Sequence, residues 1–121
     1  KIADLGSYSI NGAVKDFLPN VTGFDICPGP AVDVVMNSYF PDMETGGEHQ
    51  GEYDGLVATG SFQCAKDPQR FKRVLLYLLA PHGRIILTAC QIGCSERHRS
   101  SPGGIDRHRW FREALEMFLE P

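Results

Sequence analysis

The stretch that decides the fold is Lys1-Ile-Ala-Asp-Leu-Gly-Ser7, a short apolar run that ends in a Gly-Ser pair. An apolar run followed at once by glycine predicts a buried strand that ends in a sharp turn. Residues 11–18 then carry apolar side chains at helical spacing, and Pro19 stops that pattern. A second apolar run, Val21-Thr-Gly-Phe-Asp-Ile26, follows. The opening third of the chain therefore predicts a strand, a helix and a second strand.

The rest of the chain continues this alternation. Cys27-Pro-Gly-Pro30 comes directly after the second strand and favours an extended loop, because proline disfavours both strand and helix interiors. Asp67-Pro68 is typical of a helix start, and Asp106 is a candidate cap for a last helix. Further strands are predicted at 32–36, 55–59 and 84–89. Alternating helices and nearly continuous apolar strands predict an α/β fold, with a mainly parallel sheet covered by helices on both faces.

Length and composition are those of one globular domain spanning 1–121. The chain has 121 residues, of which 42% are hydrophobic, and no apolar run approaches the roughly 20 residues needed to cross a bilayer. Asp4 stands where an export signal would be apolar, which favours a cytoplasmic protein without membrane association. Four scattered cysteines without an export signal predict reduced, mostly buried thiols and no disulfide framework.

Charge is distributed unevenly along the chain. Residues 1–60 contain nine acidic residues against Lys1 and Lys15, whereas residues 61–121 contain ten basic against six acidic residues. A basic second half is one feature of proteins that act on an anionic substrate. The other interpretation is an ordinary surface on which solvated charges are unevenly spread.

Polar residues at the predicted strand ends are the candidates for chemistry. In an open parallel sheet, ligands bind in the crevice beyond the carboxyl ends of the strands. Gly6 permits a tight turn after the first strand, and Asp25 ends the second strand with a carboxylate that can accept both hydroxyls of a ribose. Tyr8 occupies the second glycine position of a dinucleotide fingerprint, which disfavours a pyrophosphate. Asp4 suits a cationic ligand group and would repel phosphate.

Four segments in order resemble the motifs of class I S-adenosylmethionine-dependent methyltransferases. They are Ala-Asp-Leu-Gly-Ser at 3–7, Gly-Phe-Asp-Ile at 23–26, Tyr-Asp-Gly-Leu-Val at 53–57 and Leu-Leu-Ala-Pro-His-Gly-Arg-Ile-Ile-Leu at 78–87. The Pro-Gly-Pro loop is similar to a subgroup in which such a loop replaces the second helix. The resemblance implies a three-layer Rossmann-like fold with strand order 3-2-1-4-5, in a truncated or minimal form without the usual last two strands. It also implies S-adenosylmethionine as cofactor and methyl transfer to an unidentified acceptor.

The resemblance also implies roles for particular residues. Asp4, Gly6 and Ser7 would face the methionine portion of the cofactor, Asp25 would hold the ribose, and Ile26 would pack on the adenine. Asn37 would lie near the adenine amino group, in a position where the family usually has Asp. The residues expected on the sulfonium side, where the acceptor enters, are Thr59, Gly60 and Ser61. No catalytic residue is identified.

Each of these positions also has a simpler interpretation. Gly6 could be an ordinary turn glycine, Asp25 could begin the Pro-Gly-Pro turn, and Asn37 could cap a loop. Cys64 lacks the preceding proline of base-methylating enzymes, so a nucleophilic thiol is not favoured. The spacing Cys90-x3-Cys94-x3-His98 is not that of a structural zinc site, and no metal is predicted.

Two alternatives to a methyltransferase remain. One is a non-catalytic S-adenosylmethionine- or nucleoside-binding module that acts in assembly or regulation, and the other is a nicotinamide-dependent oxidoreductase. The expected partner is a small-molecule or anionic methyl acceptor, which His98, His108 and the arginines between 97 and 112 could contact if they are not simply solvated. Nucleic-acid binding is not favoured. A homodimer is one way to cover the predicted edge strand at 84–89.

Overall fold

The computed structural model describes residues 1–9, 12–36, 47–89, 99–101, 104–105 and 112–120. The helices are α1 (Pro68–Leu78) and α2 (Arg112–Leu119), and single 3-10 turns form at Val14–Asp16 and Phe62–Cys64. The strands are β1 (Ile2–Leu5), β2 (Val21–Asp25), β3 (Val34–Val35), β4 (Tyr53–Ala58), β5 (Leu79–Leu87), β6 (Arg99–Ser101) and β7 (Gly104–Ile105).

The first five strands form one sheet in the order β3-β2-β1-β4-β5, and every pair in it is parallel. This confirms the predicted α/β class and strand order. The order reverses between β1 and β4, which are neighbours in the sheet although β2 and β3 separate them in sequence. Such a reversal opens a crevice at the carboxyl ends of the two central strands. β6 and β7 form a separate antiparallel pair within a segment predicted to be loop.

One face of the sheet carries the hydrophobic core. Residues paired in register on parallel strands point to the same face, so Leu5 and its partner Phe24 lie on one side. On that side α1 packs with Val74, Leu75 and Leu78, which are almost fully buried. The buried cluster comprises Ala3, Leu5, Phe24, Met36, Tyr53, Leu56, Ala58, Val74, Leu75, Tyr77 and Leu78.

The N-terminus of α1 is capped as the sequence predicts. The Asp67 side chain accepts a hydrogen bond from the Arg70 backbone N–H at 3.1 Å, and Pro68 occupies the first turn. We expect Asp67→Ala to lower the free energy of unfolding by about 1 kcal/mol, because a backbone donor loses its acceptor. Urea denaturation measures this change. Asp67→Asn is the matched control and should keep most of the stability, so equal losses in the two variants would contradict the capping role.

The C-terminal end of α2 lies on the same side of the sheet as α1. The Phe118 ring packs against Phe62 at 5.8 Å, and Lys72 Nζ donates hydrogen bonds to the Phe118 and Glu120 carbonyl oxygens at 2.8 and 2.5 Å. Leu119 closes an apolar groove of about 330 Å³ between the two helices and β5. The other residues that line the groove are Lys72, Leu75, Leu76, Ile85 and Leu87.

The opposite face of the sheet has loops over its β1–β2 half. Asp4, its register partner Gly23 and Asp25 are buried there, whereas Ile86 on β5 is 64% exposed. Among the described residues no helix covers this face. The predicted helical layer on both faces is thus observed on one face within the part of the chain that the structure describes.

The helix predicted at residues 11–18 is wrong in its described part. Residues 14–16 form a single 3-10 turn, and the Asp16 carboxylate accepts a hydrogen bond from Ala13 N at 2.8 Å. Gly12 has a φ of +120°, outside the helical region, and Pro19 ends the segment a few residues later. Too few residues remain between them for a helix. The predicted inward side chain of Phe17 is consequently 84% exposed.

The start of β5 and one face of α2 also differ from the prediction. β5 begins at Leu79 because Leu79 pairs with Tyr53, but regular pairing resumes only at Arg84, opposite Gly55. Ala80-Pro-His-Gly83 predicts the end of the preceding helix, but these residues form an irregular stretch of β5 in which His82 adopts a φ of +65°. The helical spacing of Ala114, Leu115 and Phe118 predicts that they share an inward face of the last helix, but Ala114 is exposed in α2. Asp106, Trp110 and Phe111 lie outside the described residues.

No helix in the described ranges is both long enough and apolar enough to cross a membrane.

Candidate functional site

The loop after β1 turns sharply at the point where the strand order reverses. Gly6 has a φ of +83°, and the N–H groups of Gly6 and Ser7 both donate to the Phe24 carbonyl oxygen at 2.8 and 3.1 Å. A Cβ atom on Gly6 would lie 2.5 Å from the Cβ of Ser61, which follows β4. The loops after the two central strands therefore meet at Gly6, and only glycine fits there.

Asp25 is anchored by the backbone of both neighbouring loops. Its side chain is 6% exposed, Oδ2 accepts from Tyr8 N at 3.0 Å, and Oδ1 accepts from Cys27 N at 3.1 Å. The carboxylate thus organises the turn after β2, as the simpler interpretation holds. Each oxygen still has a second acceptor position, so this role leaves room for ligand hydroxyls.

Asp4 is a buried carboxylate without a compensating partner. It is 5% exposed, and within the described residues it makes no hydrogen bond and no ion pair. Burial, together with the smaller effect of the nearby Asp25 carboxylate, raises the pKa of Asp4 from 3.8 to about 6. A buried charge in this state is costly, which makes Asp4 a candidate for contact with a positively charged ligand group.

Two buried hydroxyls near the ends of β1 and β4 also lack partners among the described residues. Ser7 is 3% exposed, and the Oγ atoms of Ser7 and Ser61 are both buried without a hydrogen bond. A Cβ on Gly23 would lie 2.6 Å from Ser7 Oγ and would collide with the Ala31 carbonyl oxygen. Since Gly23 is the register partner of Asp4, the Ser7 hydroxyl stands next to the buried carboxylate. The Asp4 carboxylate, the Ser7 hydroxyl and the Ala31 carbonyl therefore all present oxygen atoms to this part of the site.

The Pro-Gly-Pro loop is attached to the loop after β1. The Tyr8 ring lies so close over Gly29 that any side chain at that position would collide with it, and Ser9 N donates to the Pro30 carbonyl oxygen at 3.0 Å. This contact pair was not predicted, because sequence patterns do not show which distant loops meet. Next to this loop, Ile26 is 47% exposed, which leaves an apolar surface open at the end of β2.

The end of β4 contributes a more open side of the site. Thr59 and Gly60 are exposed, and Gly60 N donates to Thr88 Oγ1 at 2.9 Å. Thr88 itself follows β5 and continues the ladder by donating from its N–H to the Ala58 carbonyl oxygen at 3.1 Å. The sequence analysis missed Thr88, although the same rule of polar residues just past a strand would have identified it.

Most of the predicted site residues therefore meet at one edge of the sheet. Asp4, Gly6, Ser7, Asp25 and Ser61 lie around the ends of β1, β2 and β4. Asn37 lies outside the described residues. No protein-family model, curated protein or solved structure matches this chain. The geometry of the site is thus the basis for any functional assignment.

The sequence also predicted reduced, mostly buried cysteine thiols and no metal site. Cys27 and Cys64 form no disulfide in the described part of the chain and are half-buried rather than buried, and Cys64 Sγ lies 3.8 Å from the Gly60 carbonyl oxygen. In the described ranges, no group of three or more His, Cys, Asp or Glu side chains could hold a metal ion. Cys90, Cys94, His98 and His108 fall outside those ranges.

Proposed function

We propose that this chain binds S-adenosylmethionine at the carboxyl edge of its sheet and transfers the methyl group to an acceptor. The observation that carries the proposal is the buried Asp4 carboxylate, which has no partner among the described residues, precedes the Gly6 bend and lies within electrostatic reach of Asp25. A carboxylate in such a place favours a cationic ligand and opposes a phosphate. Among adenosine cofactors, S-adenosylmethionine has the required positive charge and no phosphate.

The neighbouring residues are suited to the nucleoside portion. Asp25 ends β2 next to the Gly6 bend, where a carboxylate can accept two ribose hydroxyls by charge-assisted hydrogen bonds. The exposed Ile26 offers an apolar surface for the adenine. Tyr8 replaces the glycine that a pyrophosphate requires, and its ring is already packed on Gly29. These features favour a three-layer Rossmann-like methyltransferase core over a dinucleotide-dependent oxidoreductase.

The chemistry demanded of the protein would be mainly positioning. S-adenosylmethionine, when bound, supplies an electrophilic methyl group on a sulfonium. Methyl transfer is an in-line displacement, and holding two reactants in line supplies much of the rate. Asp4, Gly6 and Asp25 would fix the cofactor, while the exposed Thr59 and Gly60 leave the acceptor side open. We assign no general base.

Calorimetric titration tests the cofactor assignment, and Asp25→Ala tests the ribose contact. We expect the wild-type protein to bind S-adenosylmethionine and not NAD. Asp25→Ala should weaken that binding about tenfold or more, because charge-assisted hydrogen bonds contribute about 1.5–3 kcal/mol each. Tight NAD binding without S-adenosylmethionine binding would contradict the proposal.

Asp16→Ala is the matched control for Asp25→Ala. Its carboxylate also accepts a backbone N–H, from Ala13 at 2.8 Å, but it lies in the turn before β2 and away from the strand ends. Asp16→Ala loses one backbone hydrogen bond and Asp25→Ala loses two, and only Asp25→Ala should lose ligand affinity. An equal affinity in the two variants would show that the ribose assignment is wrong.

A non-catalytic cofactor-binding module is the second candidate. It is favoured by the sheet itself, because over the described residues β5 is an edge strand and one face has no helical cover. Further strands and helices commonly help to build an acceptor pocket. Incubation with S-adenosylmethionine and candidate acceptors separates the two functions, since S-adenosylhomocysteine accumulates only if methyl transfer occurs.

A further inference from the structure

The wall of the site around Asp4 offers acceptor atoms and negative charge. Asp4 and Asp25 are both at least nine-tenths buried, and each lies close enough to the other for repulsion to act on Asp4. The Ser7 hydroxyl, 3% exposed and without a partner, stands over Gly23 beside Asp4. The Ala31 carbonyl oxygen reaches the same point above Gly23. These groups can all accept hydrogen bonds or face a cation, and the carboxylates cannot donate when ionised.

The two described lysines nearest these strands, Lys15 and Lys1, pair with other carboxylates. Lys15 lies near β2 but forms an ion pair with Asp33, whose carboxylate also accepts the Gly23 N–H at 2.7 Å. Lys1, at the other end of β1, pairs with Glu52 at 3.1 Å. Among the described residues, Asp4 and Asp25 therefore have no ion-pair partner, and this part of the site carries negative charge. The electrostatic attraction between this negative charge and a ligand depends on the net charge of the ligand, and it becomes stronger when water is excluded from the site.

We propose that this site selects its ligand by net charge, so that it binds the sulfonium cofactor more tightly than the thioether that remains after methyl transfer. This inference rests on the proposed function. S-adenosylmethionine carries an ammonium, a carboxylate and a sulfonium, for a net charge of about +1 near neutral pH, whereas S-adenosylhomocysteine lacks the sulfonium charge and is neutral overall. The two ligands otherwise share the adenosine and the amino-acid end. Only their charge and one methyl group differ.

The expected preference follows from the separation of the charges. At an effective dielectric constant of about 20, Coulomb attraction between an ionised carboxylate and a cation in the same binding site corresponds to a preference of more than about tenfold. The extra methyl group adds a smaller hydrophobic contribution. The site would accordingly release its product more readily than it releases its cofactor, which reduces inhibition by product.

Calorimetric titration of the wild-type protein with three ligands tests this inference. The ligands are S-adenosylmethionine, S-adenosylhomocysteine and sinefungin, an analogue in which an amine-bearing carbon replaces the methylated sulfur. We expect the two cationic ligands to bind at least about tenfold more tightly than S-adenosylhomocysteine at low salt. In Asp4→Asn the preference for the two cationic ligands should shrink, because Asp25 is the one carboxylate of the pair that remains. Asp54→Asn is the matched control, because it removes the same charge at the amino-terminal end of β4 and should preserve the wild-type ranking.

The outcomes separate this inference from the function on which it rests. Equal binding of S-adenosylmethionine and S-adenosylhomocysteine by the wild-type protein would overturn charge selection and leave the cofactor assignment intact. An equal loss of affinity for both ligands in Asp4→Asn would also overturn it, because Asp4 would then contact the ammonium that they share. Failure of all three ligands to bind would overturn the proposed function and the inference together.

Discussion

Replacing Asp4 with Asn should make the unliganded protein more stable at neutral pH and should weaken its binding of S-adenosylmethionine. Asp4 is buried, and no described hydrogen bond or ion pair stabilises its charge. Its pKa is raised to about 6 by burial and by Asp25. One unit of pKa shift corresponds to about 1.4 kcal/mol, so ionising Asp4 in the folded protein costs about 2–3 kcal/mol. Asn has the same shape and no charge, and we expect a net gain of about 1–2 kcal/mol after its amide is buried.

The sign of the pH dependence follows from the direction of the shift. Because the folded-state pKa of Asp4 lies above its unfolded value of 3.8, the folded state holds the proton more tightly. Below pH 3.8 both states are protonated and Asp4 costs nothing. As the pH rises from 3.8 through about 6, the unfolded state ionises first and the wild-type protein loses stability. Asp4→Asn should remove this loss and should match the wild type only at the acidic end.

Thermal denaturation across this pH range, without ligand, measures the effect. The wild-type melting temperature should fall relative to that of Asp4→Asn by several degrees between the acidic and the neutral end. Asp54→Asn is a suitable control, because Asp54 is exposed and its ion pair with the N-terminus lies at the opposite end of the sheet. A variant Asp4→Asn that is less stable than the wild type at neutral pH would show that the carboxylate has a stabilising partner.

Gly6→Ala should destabilise the fold and abolish ligand binding. A left-handed φ of +83° costs alanine about 1 kcal/mol relative to glycine, and the new Cβ would lie 2.5 Å from Ser61 Cβ. Displacing Ser61 from the end of β4 adds a cost typical of overpacking, for a total loss of about 3 kcal/mol. The loops after β1 and β4 would move apart, and Asp4 and Ser61 would no longer line one crevice.

A control and a second-site change separate backbone strain from the steric clash. Gly12 also has a positive φ, +120°, but its Cβ would meet only Asp16 Oδ2 at 3.5 Å, so Gly12→Ala reports strain alone. Adding Ser61→Gly to Gly6→Ala removes the atom with which the new Cβ collides. Chemical denaturation and calorimetric titration should show the double variant recovering part of both losses. A double variant no better than Gly6→Ala would indicate that Ser61 is not the residue that the bend contacts.

The strands of the sheet were predicted well because each one is a short apolar run in the sequence. The strand order was predicted from the resemblance to class I methyltransferases and not from the strands themselves. The start of α1 was predicted from Asp67-Pro68, because a helix cap depends on residues within one turn. Residues 11–18 were mispredicted because helical spacing alone cannot show that Gly12 leaves the helical region and that Asp16 closes a single turn. Helix periodicity over so few residues is a weak signal.

The sequence predicted which residues belong to the candidate site, but it did not predict the contacts among them. Strand-end positions identified Asp4, Gly6 and Asp25, since parallel strands bring their carboxyl ends together. The sequence could not show that Tyr8 N and Cys27 N both donate to Asp25, because these contacts depend on how two loops fold over each other. It also could not show that Asp4 lies buried without a partner, since burial is a property of the whole sheet.

The attachment of the Pro-Gly-Pro loop to the loop after β1 has a consequence for how quickly a ligand can be accepted. Tyr8 on Gly29, Ser9 N on the Pro30 carbonyl and Tyr8 N on Asp25 join the loop after β1 to the loop after β2 by three contacts. The conformational entropy of those loops is lost when the protein folds and not when a ligand arrives. Association on this side should therefore proceed without a closing step, as in a preorganised receptor.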